Sequence, residues 1–420
     1  MHPHSQQRLD TDKLLLLGAR FFRSIAQGIL AADFALYLRA SGWNGAQIGT
    51  VLGSGLALAV ALTLLAATSD RFGRKPFLVA YETLYALSCL AATIDPSAFV
   101  LFAASVVGSF GRGANGAAGP FGAIEKAWLT QGLQKVGWTH VLSLNATLGF
   151  IGMAFGAGLG ALPGWLHHGS AVPAGDYALI FPLALLASLA CLTCIVLARD
   201  RHPVERVDAA PEQERAIRQV ENRNLRNLGL VNLLQGTGIG LSGPLVSYWF
   251  AVRFGLGPAQ IAPVMAGGFL AAAASAQLGA RLTADLGLMR TIVPLRAAAL
   301  LALVLMPLAP NPALAISAYL LNKTLNRGTD GLRASVTAGL VRNRRRGVAG
   351  AVTSISRQIP RSIGPLIAGT MMDSGWLAAP FLLGAAFQAA YLYLYQSKFD
   401  DRSKAQTEPR AVASANRVRG

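Results

Sequence analysis

Long apolar runs separated by short polar punctuation fill almost the whole chain. Runs near 14–38, 45–67, 76–94, 98–118, 141–163, 176–198, 226–250, 258–280, 291–309, 312–338, 348–372 and 376–396 each approach the roughly 20 helical residues that cross a hydrocarbon core of about 30 Å. The runs lack the period-two alternation of a membrane β-barrel strand. The pattern predicts twelve transmembrane helices and an all-α polytopic membrane protein. "SGWNG", "DPS", "LPGWLHHGSAVPAGD", "LGP", "APNP" and "DSG" fall between alternate runs and predict mostly short turns on one side.

Composition agrees with this reading. Of 420 residues, 53% are hydrophobic and 14% charged, with a mean hydropathy of +0.44. That is more apolar side chain than one water-soluble core hides. The first run contains Arg20 and Arg23, which suits an uncleaved first span and not a signal peptide. Cys89, Cys191 and Cys194 all lie in apolar runs, so Cys191-x-x-Cys194 reads as helix filling and no disulfide framework is implied.

The net charge of +17 would suggest nucleic acid in a soluble protein, but its distribution points elsewhere. The leader, the tail and one alternate set of connections hold 26 of the 37 Lys and Arg, whereas the opposite connections hold only Arg39 and Arg253. Basic residues near helix ends are retained on the cytoplasmic side. Both termini are therefore expected in the cytoplasm of a cell with this protein in its plasma membrane, most simply a bacterial inner membrane. The same residues would attract anionic lipid, and nucleic acid is not expected as a partner.

Residues 199–226 carry seven Arg against six Asp and Glu and divide the chain six runs plus six. The expected organisation is an N-terminal six-helix bundle over 1–198, a cytoplasmic linker over 199–225, a C-terminal bundle over 226–397 and a disordered cytoplasmic tail over 398–420. The halves repeat: "GWNGAQI" at 42–48 is echoed by "GLGPAQI" at 255–261, Asp70 by Asp285, and Arg112-Gly-Ala-Asn-Gly116 by Arg327-Gly-Thr-Asp-Gly331. Offsets of 213, 215 and 215 residues mark a tandem repeat of the kind used in alternating-access transporters.

"DRFGRKP" between the second and third runs resembles the signature loop of the major facilitator superfamily, Gly-x-Leu-Ala-Asp-Arg-x-Gly-Arg-Arg/Lys. Asp70, Arg71, Gly73, Arg74 and Lys75 match, while Ala66, Thr68 and Ser69 depart from it. A basic Gly turn also suits any positive-inside loop. The resemblance implies the twelve-span fold, and for Asp70 and the basic residues a conformational latch on neighbouring helix ends. Arg112-Gly-Ala-Asn115-Gly116-Ala-Ala in the fourth run is similar to the Arg-x-x-Gln-Gly-x-Gly-Ala-Ala pattern of proton-linked antiporters, with Asn115 in place of Gln. It implies a proton-coupling role for Arg112; a structural salt bridge is the alternative. The ladder Gly149, Gly152, Gly156 and Gly160 resembles the antiporter motif of the fifth helix without its Gly-Pro pair, and "IGPLIAG" at 363–369 is its partner. Small residues at this spacing predict close helix packing, expected at the domain interface.

Charges inside the runs supply the remaining candidates. Arg20, Arg23, Ser24 and Gln27 fall within roughly 60° of one direction on a helix, a polar stripe that should face a cavity and not lipid. The tenth run adds Lys323, Asn326, Arg327, Asp330 and Arg333, and the eleventh Arg357 and Arg361. Acids are scarcer: Asp33, Glu82 and Asp330, with Glu125 after the fourth run. A carboxyl group taken out of water favours its neutral form, which reversible proton carriage requires, so Asp33 and Asp330 are the candidates. Arg327 and Arg333 each lie three residues from Asp330, and pairing would keep it ionised.

The expected function is secondary active transport of a small solute by alternating access, as proton-coupled efflux by a monomer. One alternative is an organic-anion transporter, importing or exporting, that uses an Arg-lined cavity to grip carboxylate or phosphate groups; several of these arginines lie near the inner face, where snorkelling also explains them. A membrane sensor or assembly partner that moves nothing is the alternative of another class. Neither a phosphate-binding Gly-rich loop nor a His-Glu-x-x-His pair occurs, so neither an enzyme nor a metal or cofactor is expected.

Overall fold

The computed structural model describes residues 10–66, 73–111, 119–131, 135–167, 172–200, 214–286, 288–329, 333 and 346–418. Every regular element among the described residues is helical. The first half comprises α1 (Thr11–Ala40), α2 (Gly45–Ala66), α3 (Arg74–Ile94), α4 (Ala98–Gly108), α5 (Gly119–Leu129), α6 (Lys135–Leu159), α7 (Leu162–His167), α8 (Ala174–Tyr177) and α9 (Ile180–Leu197). The second comprises α10 (Glu214–Ser242), α11 (Val246–Phe254), α12 (Pro258–Leu286), α13 (Leu288–Leu308), α14 (Pro312–Gly328), α15 (Arg346–Asp373) and α16 (Ala379–Val418).

Several elements depart from the apolar pattern. Within the run 98–118, α4 ends at Gly108, where Ser109 turns left-handed (φ 53°) and Gly111 follows at φ 70°; residues 112–118 lie outside the described residues. A separate helix, α5, then occupies the start of what reads as a connection. The linker expected over 199–225 becomes helix from Glu214, where Glu, Arg, Gln and Leu favour that state. The run 226–250 breaks at Gly243-Pro244, between α10 and α11. The tail expected to be disordered over 398–420 continues α16 to Val418, in keeping with its Ala, Lys, Arg and Gln content.

Six helical stretches among the described residues are long and apolar enough to cross a membrane: Thr11–Ala40, Gly45–Leu62, Arg74–Ile94, Val141–His167, Ala174–Leu197 and Arg290–Leu308. Five lie in the first half and one in the second.

The chain forms two compact units. The first contains residues 1–206, 243–270 and 365–375. Here α1 is central, packing on α6 and α9, while α3 packs on α4 and α9. One end of its core is Leu16, Leu17, Leu78, Phe121, Leu129 and Ile195; further along, Phe34, Tyr37, Phe110 and Phe181 stack edge to face. The second unit contains residues 207–242, 271–364 and 376–420. It packs α10 and α13 on α16 through Leu225, Leu228, Val231, Ile292, Tyr391 and Tyr395, and pairs α13 with α14.

Candidate functional site

The glycine ladder of α6 packs against α1, within the first unit and not at a boundary between domains. A Cβ at Gly152 would strike the Phe21 carbonyl, and one at Gly156 the Ile25 carbonyl. Gly149 faces the Arg20 guanidinium and Gly160 the Asp33 carboxyl. The missing side chains thus admit both the backbone of α1 and two of its charged groups. The second unit uses the same device: Gly236 abuts the Arg357 carbonyl and Gly240 the backbone of Arg361, with Gly364 against Gly240 in return.

The polar stripe of α1 is buried at every position: Arg20, Arg23, Ser24 and Gln27 all lie within the protein. Its two arginines serve different neighbours. Arg23 Nη1 donates to Glu82 Oε2 on α3, and Ser188 Oγ on α9 donates to Glu82 Oε1 at 2.7 Å. The Arg23 guanidinium also lies 4.3 Å from the Phe121 ring centroid and 4.8 Å from that of Tyr81, favourable cation–π placements in a dry site. Arg23 is therefore committed to an internal ion pair. Arg20 has Glu125 as its electrostatic partner, with Asn145 beside that carboxylate. Glu125 is 1% exposed, a placement hidden from the sequence because α5 reads as a loop.

Asp33 is isolated. Its side chain is 0% exposed, and neither carboxyl oxygen has a hydrogen-bond partner among the described residues. Tyr177 is its electrostatic neighbour. Tyr177 also lines a cavity of about 240 Å³ with Leu36, Arg39, Val172, Ala251 and Leu256.

In the second unit, Lys323 on α14 lies within electrostatic reach of Arg327 on the same helix and of Arg361 on α15. Lys323 Nζ sits 5.1 Å from the Tyr319 ring centroid. Arg361 is 6% exposed, and Arg357 is half-buried one turn away. Arg296 donates to Asn326 Oδ1, and Arg333 Nη1 donates to the Tyr391 hydroxyl at 3.2 Å. Asp330 lies outside the described residues, as do Asp70, Arg71, Arg112 and Asn115.

The described part of the signature loop shows how its cations are held. Gly73 takes φ 98° and starts α3, a conformation that favours glycine. The Asp200 carboxylate accepts the backbone N–H groups of Arg74 and Lys75 at 3.2 and 3.3 Å. Lys75 Nζ donates to the Val196 and Ala198 carbonyls at the end of α9, at 2.6 and 2.9 Å, and Arg74 Nη1 to the Ala127 carbonyl of α5 at 3.1 Å. Each charge complements a helix end of opposite polarity. A similar arrangement joins α15 to α2: Asp373 accepts the Gly45 and Ala46 N–H groups at 2.7 and 2.8 Å, with the Gly369 backbone against that of Gly45. No local motif announces Asp200 or Asp373, since each acts on residues more than a hundred positions away.

A helical, glycine-packed chain with charged groups buried inside apolar helices defines an integral membrane protein. Residues 16–365 match the Major Facilitator Superfamily, and the chain belongs to that family. Its fold is that of the nucleoside transporter NupG, at 15% identity and a TM-score of 0.70 over 92% of this chain and 100% of that one. The human organic anion transporter MFSD10 (TETRAN) matches with 16% identity and a TM-score of 0.67 over 93% and 100%. A D-xylose-proton symporter matches with 12% identity and a TM-score of 0.69 over 93% and 97%. These likenesses show the fold, and family membership indicates a transporter rather than an enzyme. No curated protein matches the chain in sequence.

Proposed function

We propose that the protein is a secondary active transporter that moves a small solute by alternating access, coupled to protons, with export as its direction. It works as a monomer in a plasma membrane, most simply a bacterial inner membrane, with both termini in the cytoplasm and its two six-span halves moving as bundles. Asp33 carries the proton. The supporting observation is its complete burial with no hydrogen-bond partner among the described residues: a charge held there lacks compensation, and a group that must bind and release a proton needs that tension between states. Arg23, by contrast, has a dedicated counter-ion in Glu82. The basic signature loop, with Arg74 and Lys75 on helix ends, is the latch of one end state, and the antiporter-like segment around Arg112 favours export. A proton moving down a membrane potential supplies roughly 2.3 kcal/mol per 100 mV.

The test uses inside-out vesicles with an imposed pH gradient and a panel of small solutes. Addition of a transported solute is expected to discharge the gradient, and Asp33→Asn to abolish the discharge while preserving the melting midpoint. Discharge unchanged in Asp33→Asn removes Asp33 from the mechanism. A panel that moves in liposomes without any proton flux refutes coupling, and one that moves nothing favours a non-transporting role.

A further inference from the structure

The cavity beside Tyr177 runs from an exposed mouth to a buried floor. Arg39, Ala40 and Gly255 at its mouth are exposed, whereas Leu36 and Tyr177 are 3% and 5% exposed. Its volume of about 240 Å³ has room for several waters, and Arg39, Tyr177 and the peptide groups of Gly255 and Gly257 supply them with polar partners.

Asp33 continues that descent. Asp33, Leu36 and Ala40 fall within roughly 60° of one direction on α1, and Asp33 lies about 4.5 Å further along the axis than Leu36. Tyr177 is held beside them. The helix α8 that ends with it packs on α1, and Phe181, four residues later, is fixed against Phe34 and Tyr37 at ring-centroid distances of 6.3 and 5.1 Å. Tyr177 both lines the cavity and is the electrostatic neighbour of Asp33.

The two directions away from Asp33 are closed by different means. Along the seam between α1 and α6, a Cβ on Gly28 would strike the Met153 carbonyl and one on Gly156 the Ile25 carbonyl, so backbone meets backbone and no side chain can swing aside. Towards the cavity the boundary is made of side chains, with Tyr177 on α8 beside Leu36 on α1. Side chains change rotamer far faster than packed helices part.

We propose that this cavity is the route by which water and protons from the outer side reach Asp33, with the Tyr177 ring as the partition between them. The inference rests on the proton-carrying role and the orientation proposed above, and adds the path. Position 33 can be probed without any proton flux. The path can therefore fail while Asp33→Asn still abolishes coupling, and coupling can fail while the path stands.

The full chain, with its three cysteines replaced by alanine, would carry Leu36→Cys or Asp33→Cys in right-side-out and inside-out vesicles. The impermeant thiol reagent methanethiosulfonate ethyltrimethylammonium would be added to each. Leu36→Cys is expected to react from the outer face alone. Asp33→Cys should react slowly from that face, several-fold faster with Tyr177→Ala, to an intermediate degree with Tyr177→Leu, and at an unaltered rate with Tyr177→Phe, which keeps the ring. In the chain with its natural cysteines, Cys89 is buried and should stay unreactive in Tyr177→Ala. The proposal is overturned if Leu36→Cys fails to react from the outer face, or if Asp33→Cys reacts equally with Tyr177 intact or trimmed. It is also overturned if labelling of Cys89 matches the Tyr177→Ala gain, which would mean general loosening. Should Tyr177→Ala fail to accumulate, Tyr177→Leu decides the comparison.

Discussion

The two halves of the chain carry different balances of charge within their helices. Spans one to six set Arg20, Arg23 and Arg112 against Asp33 and Glu82, with Glu125 added by α5. Spans seven to twelve set six cations against Asp330, with Glu221 added by α10. Helix packing does not account for the difference, because Gly152 and Gly156 in one half and Gly236 and Gly240 in the other perform the same close approach. Where a buried charge has a counter-ion, as Arg23 has Glu82, its worth is in holding helices in register.

The sharpest test of this contrast removes one charge from each half. Glu82→Ala leaves Arg23 buried beside Tyr81 and Phe121 without its carboxylate, and should cost about 3–5 kcal/mol, read as a lower midpoint of unfolding in SDS titration. Lys323→Met in the other half should cost less, since it removes the buried charge itself and keeps a side chain of similar length over the Tyr319 ring. Equal losses in both would erase the distinction.

A smaller effect probes the feature that the halves share. Gly156→Ala and Gly236→Ala both place a methyl group against a backbone carbonyl that cannot swing aside, and each should cost about 1–3 kcal/mol. Gly149→Ala meets only the guanidinium of Arg20 and should be milder. A Gly149 variant as damaging as Gly156→Ala would mean that Arg20 is as fixed as the backbone.

The smallest expected change concerns the helix-end contacts. Asp373→Ala frees the Gly45 and Ala46 N–H groups, and this partly exposed cap is worth about 1 kcal/mol or less. Its larger consequence should be kinetic: faster labelling of a cysteine introduced at Ala46, with Lys75→Ala leaving that rate unaltered. Equal labelling in parent and Asp373→Ala would remove the cap from any gating role.

Much of this was open to a reader of the sequence. Long apolar runs and the "DRFGRKP" loop point to the family that residues 16–365 match, whereas the stripe of Arg20, Arg23, Ser24 and Gln27, expected to face a cavity, is buried with Arg23 paired to Glu82 and Arg20 packed against Gly149. Glu125 was obscured by the break after Gly108, because two left-handed residues end a helix that hydropathy alone continues. Asp200 and Asp373 gave no local sign, since a cap contributed from across the fold has no spacing rule.

The order of residues alone decided that the chain lives in lipid and how its charges are distributed along the apolar runs, because these follow from transfer free energies and counts of charge. Only the tertiary structure decided which acid answers which arginine, that Asp33 rests against Gly160 with neither oxygen hydrogen-bonded among the described residues, and that Lys323 lies within electrostatic reach of Arg361. Those facts depend on which helix faces come together, and burial strengthens charge interactions only between groups that packing has made neighbours.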